Sequence, residues 1–322
     1  MDFFKLRKET QLAAWLLLGF AGCLIYDQIH YWLTKEDYLF GFLVPLFVGY
    51  VLFERWPLIK QSLLGSQQGA RHSSGAMWAH QLTSVAFGGV ILASLASFAL
   101  GAMLRVSGPG SLASLLIACG FAGICLATVY FHTDRDVFGQ KLSWQERIRT
   151  TLLFLFPALA WLISAPLVMV IESDVKRILL GYVTPIVFHI FNFLGYTIIQ
   201  EGNVLVLPEG KVHVEDACSG IRSLTACIFA GTFIAAVFLQ QFWKKVLLVV
   251  TAMLFAFITN VGRSLFLTGW GFAYGPEAID QVHDIAGFAV IGITCLMLIT
   301  LLPLFNFSIA PDDLADDDTD TL

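Results

Sequence analysis

Charge is the scarcest property of this chain. Only 13% of its 322 residues are Asp, Glu, Lys or Arg, against roughly 25% in a soluble globular domain. With 57% hydrophobic residues, 28 of them Phe, the apolar surface exceeds what one water-facing fold can hide, which excludes an ordinary cytosolic enzyme. Metal motifs are missing as well: there is no His-Glu-x-x-His and no paired Cys motif, so no metal site is expected. Without a glycine-rich phosphate loop, no nucleotide or other cofactor is expected either. Nor is there a basic surplus, since the net charge is −5, and nucleic acid is not an expected partner. A disulfide framework is also lacking. Cys23, Cys119, Cys125, Cys227 and Cys295 sit inside apolar runs, where a thiol behaves as a small hydrophobe.

What the chain does have is hydrophobic runs of about 20 residues, the length a helix needs to cross roughly 30 Å of hydrocarbon. Eight such runs stand out: Leu12 to Trp32, Tyr38 to Trp56, Leu82 to Met103, Ser111 to Phe131, Thr151 to Ile171, Ile221 to Phe242, Val246 to Leu267 and Ile285 to Phe305. The first follows Lys5, Arg7 and Lys8 and reads as an uncleaved span rather than a signal peptide, because further spans follow. The pattern predicts an all-α polytopic membrane protein of about eight transmembrane helices.

A ninth run, Ile178 to Ile199, is ambiguous. Counted as eight spans with a cytoplasmic N-terminus, the inside loops collect twelve Lys and Arg and the outside loops five, as the positive-inside rule requires. A ninth span would put Lys244 and Lys245 outside. The segment also holds Pro185, His189 and Asn192, so it is expected to lie at the outer interface. Beyond it, Asn203 to Leu207 and Lys211 to Val214 flank Pro208-Glu209-Gly210, which predicts a short extracytoplasmic β-hairpin. The expected organisation is one membrane domain over 1–310: five spans in 1–172, an interfacial helix and hairpin in 173–217, and a three-span core in 218–310. Residues 311–322 form an acidic tail with six Asp and no base, expected to be disordered and cytoplasmic.

Ionisable groups at span ends are the candidates for chemistry, because charge near lipid is costly unless used or paired. Cys218 precedes the sixth run, Arg263 lies at the end of the seventh, and His283 just before the eighth. The up-and-down path brings all three to one outer face. A thiol, an imidazole and a guanidinium together suit nucleophilic acyl transfer: thiolate attack, proton movement through His, and a cation opposite the developing oxyanion. Ser219 and Gly220 allow a helix to start beside Cys218, whose thiol then feels the helix N-terminus. Arg222 adds positive charge four residues on. Glu215 and Asp216 are expected to hold Arg222 or Arg263, while Asn260 sits one turn below Arg263 and Asp284 beside His283. His213 ranks a distant second as the base, and His189 with Asn192 reads as a polar helix face.

The segment Glu215-x-x-Cys218-Ser219-Gly220-x-Arg222-Ser223, the pair Asn260 and Arg263, and His283 with Gly287 resemble the three signature blocks of the exosortase/archaeosortase family. Glu201 to Leu205 is similar too. The resemblance implies a bacterial cytoplasmic (inner) membrane cysteine transpeptidase whose active site faces the periplasm or exterior. Its partners would be exported proteins ending in a short motif, a transmembrane helix and a basic cluster, as in PEP-CTERM signals, and a cell-surface acceptor that receives the cleaved chain. Cys218 would form the thioester, His283 would act as acid and base, and Arg263 would hold the substrate carbonyl. Two readings from other classes stand beside it. One is a transporter with a polar site at Arg263, His283 and Asp284; the other is a membrane acyltransferase that uses Cys218 on lipids.

Overall fold

The structure is a computed structural model that describes residues 7–64, 76–133, 142–166, 169–208, 210–213, 221–239 and 241–305. These form helices α1 (Lys8–Thr34), α2 (Val44–Leu64), α3 (Ala76–Val106), α4 (Ser111–His132), α5 (Trp144–Leu153), α6 (Leu155–Ser164), α7 (Met169–Phe193), α8 (Ile221–Phe238), α9 (Phe242–Tyr274) and α10 (Ile279–Phe305). A 3₁₀ segment, Glu36–Leu43, joins α1 to α2. Among the described residues, six helices are long and apolar enough to cross a membrane: α1, α2 with most of the 3₁₀ segment, α3, α4, α9 and α10 with its preceding turn. The pair α5 and α6, bent by 40°, makes a seventh if it counts as one span. Large apolar side chains cover the outside of the bundle, Trp15, Phe53, Leu92, Leu254 and Leu296 all being more than half exposed. That surface suits lipid and not water. The molecule is a multi-pass membrane protein.

The expected fifth span, Thr151 to Ile171, differs from the sequence reading, and Pro157 explains why. Proline has no N–H to give to the carbonyl four residues back, so Leu153 O loses its helical partner and the helix breaks at Phe154. Arg55 of α2 donates to that freed carbonyl, and its other terminal nitrogen donates to Ala236 O in the last turn of α8 at 2.9 Å. One guanidinium thus satisfies two carbonyls that their own helices leave open. Residues 155–164 alone extend only about 15 Å. The described part of α8 is also short, and its apolar stretch Ser223–Phe238 falls below the length of the other spans.

One buried charge is paired between α1 and α3. Asp27, in the apolar run of α1, is 2% exposed and accepts from Arg105 Nε of α3 at 2.6 Å. Gln28 donates to Trp161 O and accepts from Ser164 Oγ, tying the ends of α1 and α6 together. This end of the bundle is called the upper end here. It also carries the close of α9 and the start of α10, since Thr225 near the top of α8 donates to the Asp37 carbonyl in the 3₁₀ segment.

The upper end has a cap. Three antiparallel strands, β1 (Ile199–Glu201), β2 (Val204–Leu207) and β3 (Gly210–His213), pair in the order β1-β2-β3. The sheet has one strand more than the expected hairpin. Gly202 at φ +65° forms the tight turn between β1 and β2, a conformation that favours glycine. Leu205, Leu207 and Val212 point to one side and pack on Leu180, Val183, Val187 and Phe191 of α7, and on Leu267 of α9. Both ends of α7 touch the upper end: Glu172 pairs with Lys35 just beyond α1 (3.5 Å), and Phe191 packs beside Leu267 and Ile279. α7 therefore crosses over the bundle instead of running through it.

Candidate active site

Helix α9 is longer than the sequence reading allowed. It continues past Leu267 to Tyr274, so Arg263 lies three turns inside the helix and not at its end. Likewise α10 begins at Ile279, which places His283 within its second turn and not ahead of it. Packing explains both extensions. Gly271 sits closely against Ile279 and Val212, and Trp270 contacts the rings of Phe266 and Tyr274. The turn Gly275 to Ala278 is correspondingly tight.

Arg263, Asn260 and Ser264 share the buried face of α9. Arg263 is only 6% exposed. Its Nη2 lies 3.0 Å from His283 Nε2 and donates to the His283 carbonyl at 3.2 Å. His283 Nδ1 lies 3.2 Å from Asp284 Oδ1. Donor chemistry settles the imidazole tautomer. Guanidinium can only donate, so Nε2 accepts; an ionised carboxylate can only accept, so Nδ1 carries the proton. Asp284, His283 and Arg263 thus form one directed chain, with a neutral imidazole whose lone pair is covered by the guanidinium.

The chain is under-satisfied around Arg263. No carboxylate bonds the guanidinium among the described residues, and Arg263 Nε has no partner. Asn260, 2% exposed, has neither its Oδ1 nor its Nδ2 bonded, and the buried hydroxyls of Ser223 on α8 and Ser264 are also unbonded. Each such group costs about 1–3 kcal/mol when shut away from water. Unpaired buried groups gathered beside a buried guanidinium call for an explanation.

Not every expected site residue can be placed. Glu215, Asp216, Cys218, Ser219, Gly220 and the Arg222 side chain lie outside the described residues, as do the expected tail and the side chain of His213. His189, on the cap helix α7, has no bond to this group. Asp37 has a place near the site that the sequence reading did not assign. It lies within electrostatic reach of Arg263, Lys176, Glu172 and Lys35. No local pattern ties Asp37 to a guanidinium so far along the chain. Beside it, burial pushes the Glu172 carboxyl up, but its hydrogen bond to Lys176 (2.9 Å) and the charges of Lys35 and Lys176 outweigh burial and hold it below the usual glutamate range.

The family model for transmembrane exosortases matches residues 32–300, and so includes α2 to α9, the cap and α10 as far as Thr300, with only the last residues of α1. The chain belongs to the transmembrane exosortase family. No curated protein and no solved structure matches it. The match gives the guanidinium–imidazole pair a family setting and covers the Cys218 segment in sequence.

Proposed function

We propose that this exosortase-family protein is a membrane cysteine transpeptidase that cleaves C-terminal sorting signals of exported proteins and passes the new carboxyl end to a cell-surface acceptor. The observation that carries this reading is the Asp284–His283–Arg263 chain at the upper end of the bundle. It joins a base of assigned tautomer to a cation able to bind a carbonyl oxygen. Cys218 is the nucleophile: its sulfur bonds the scissile carbonyl carbon, the C–N bond breaks, and the leaving amine takes a proton through His283. The thioester is then released to the acceptor's nucleophile.

Arg263 has two duties in this scheme. In the empty site it covers His283 Nε2, which prevents the imidazole from taking a proton. A substrate carbonyl oxygen competes for the same guanidinium, and drawing Arg263 onto it frees Nε2 for the Cys218 thiol. The base is thereby exposed when the electrophile arrives, and the cation faces the developing oxyanion.

The reading implies a topology. Eight crossings are obtained by counting the bent pair α5 and α6 as one and α8 as a short one, with both chain ends in the cytoplasm and the cap on the outer side of a bacterial inner membrane. Lys244 and Lys245, in the first turn of α9, then lie inside, as the charge rule prefers.

The test co-expresses wild type or Cys218→Ala with an exported protein from the same cell that ends in a motif, a hydrophobic helix and a basic cluster. Mass spectrometry reads the C-terminus of that protein. Truncation with wild type alone supports the reading, and equal processing by both forms, or none for any such protein, rejects it.

A further inference from the structure

Beneath Arg263 lies a group of polar atoms that the reaction above leaves unused. Asn260 sits three residues below it on the same helix face, about 4.5 Å deeper by helix rise. Across from it stands α8. Gly231 of α8 lies against Val249 and Ala252 of α9. Counting eight residues upward from Gly231 and from Ala252 in this antiparallel pair brings Ser223 level with Asn260. Ser264 is one turn above Asn260. All three residues are at most 2% exposed, and Asn260 Oδ1, Asn260 Nδ2, Ser223 Oγ and Ser264 Oγ have no hydrogen-bond partner.

The neighbouring threonines show that this is not a general habit of these helices. Thr225, Thr232, Thr259 and Thr294 each return a hydroxyl proton to the carbonyl four residues back, the usual local remedy in apolar surroundings. Ser264 has that remedy within reach, at the Asn260 carbonyl, and does not take it. Asn260 cannot satisfy both of its amide atoms in that way.

We infer that Asn260, with Ser264 one turn above it and Ser223 level with it on α8, is a receptor for the main chain of an unwound peptide segment. The inference rests on the peptide-cleaving reading above and names what that site holds besides the scissile carbonyl. A side-chain amide offers one acceptor and one donor side by side, the complement of a peptide N–H and C=O. The group is uncharged, so it suits a neutral polar partner and not a phosphate or a carboxylate. A helix must also unwind before a nucleophile can reach one of its carbonyls. The N–H and C=O groups released have no partner in hydrocarbon. Asn260 supplies one of each, a turn below the cation that holds the reacting carbonyl. With these atoms closed off in the empty bundle, entry of the segment satisfies both sides at once.

The experiment uses full-length Cys218→Ala in detergent, so that binding is read without turnover. Its probe is a fluorescent peptide copying the motif, hydrophobic helix and basic cluster of an exported protein from the same cell. Adding Asn260→Leu is expected to weaken binding about tenfold or more, while the melting temperature stays level or rises, because the variant removes two unsatisfied atoms. A purely structural asparagine would lose stability. A second probe replaces one peptide N–H near the motif by an ester oxygen, scanned position by position. At one position it should bind the Cys218→Ala parent severalfold more weakly and the Asn260→Leu variant no differently. Equal binding of the first probe by the parent and by Asn260→Leu overturns the receptor and leaves the cleavage reading standing. Failure of the Cys218→Ala parent to bind any such peptide overturns both.

Discussion

At the scale of single residues, the proposed chemistry turns on which nitrogen of His283 holds a proton. Asp284, two-thirds exposed, keeps that proton on Nδ1, and Arg263 occupies Nε2. Asp284 acts through the imidazole and so positions it. Asp284→Asn is expected to lower signal processing about 10- to 100-fold, by analogy with partners that orient functional imidazoles, with unchanged melting and substantial rescue by Asp284→Glu. Nitrogen NMR of labelled His283 should show mixed tautomers in the Asn variant. A single tautomer with full activity would remove Asp284 from the mechanism. Arg263 and His283 were legible in sequence because charge in an apolar run invites explanation, and a regular up-and-down path returns both to one level of the bundle. Ser264 and Ser223 carried no such signal. Serine is common in membrane helices, and what marks these two is an unpartnered hydroxyl together with a place level with Asn260 or one turn from it.

Among the elements, close helix contact depends on glycine where backbones meet. A Cβ on Gly120 of α4 would fall under 3 Å from the backbone of Ser94 and Phe98 in α3, whereas Gly89 of α3 has open space around it. Gly120→Ala should therefore force α3 from α4 and cost about 1–3 kcal/mol, read as a lower melting temperature in detergent, while Gly89→Ala should leave melting unchanged or slightly raised. Equal melting of the two variants would contradict this packing. Element boundaries were the least legible feature. Hydropathy ended the seventh run at Leu267 because aromatic and glycine residues follow. In the fold those residues pack against the sheet and Ile279, and the helix continues to Tyr274. Pro157 was visible in the sequence, but its break made sense only once Arg55 was seen at the open carbonyl.

For the whole molecule, the N-terminal half does more than anchor the chain. Its 3₁₀ segment brings Asp37 within electrostatic reach of Arg263, and Lys35 holds the start of α7 through Glu172. The proposed topology predicts that a single cysteine at Gly202 reacts with an impermeant maleimide in intact cells. One at Lys244 should react only after the membrane is opened. The reverse pattern would invert the three C-terminal helices and place the guanidinium–imidazole pair on the cytoplasmic side.

By itself the sequence determined that the chain is a helical membrane protein, because continuous apolar runs of about 20 residues satisfy their backbone in lipid as helices, whereas barrel strands are about half that length and alternate. It also pointed to the exosortase family through short blocks of spaced residues. Tertiary structure alone decided that α5 and α6 break apart at Phe154, that Arg263 covers the lone pair of His283, and that Asn260 is left without a partner. Each of these depends on contacts between segments far apart in the chain, and local composition and spacing carry no record of such contacts.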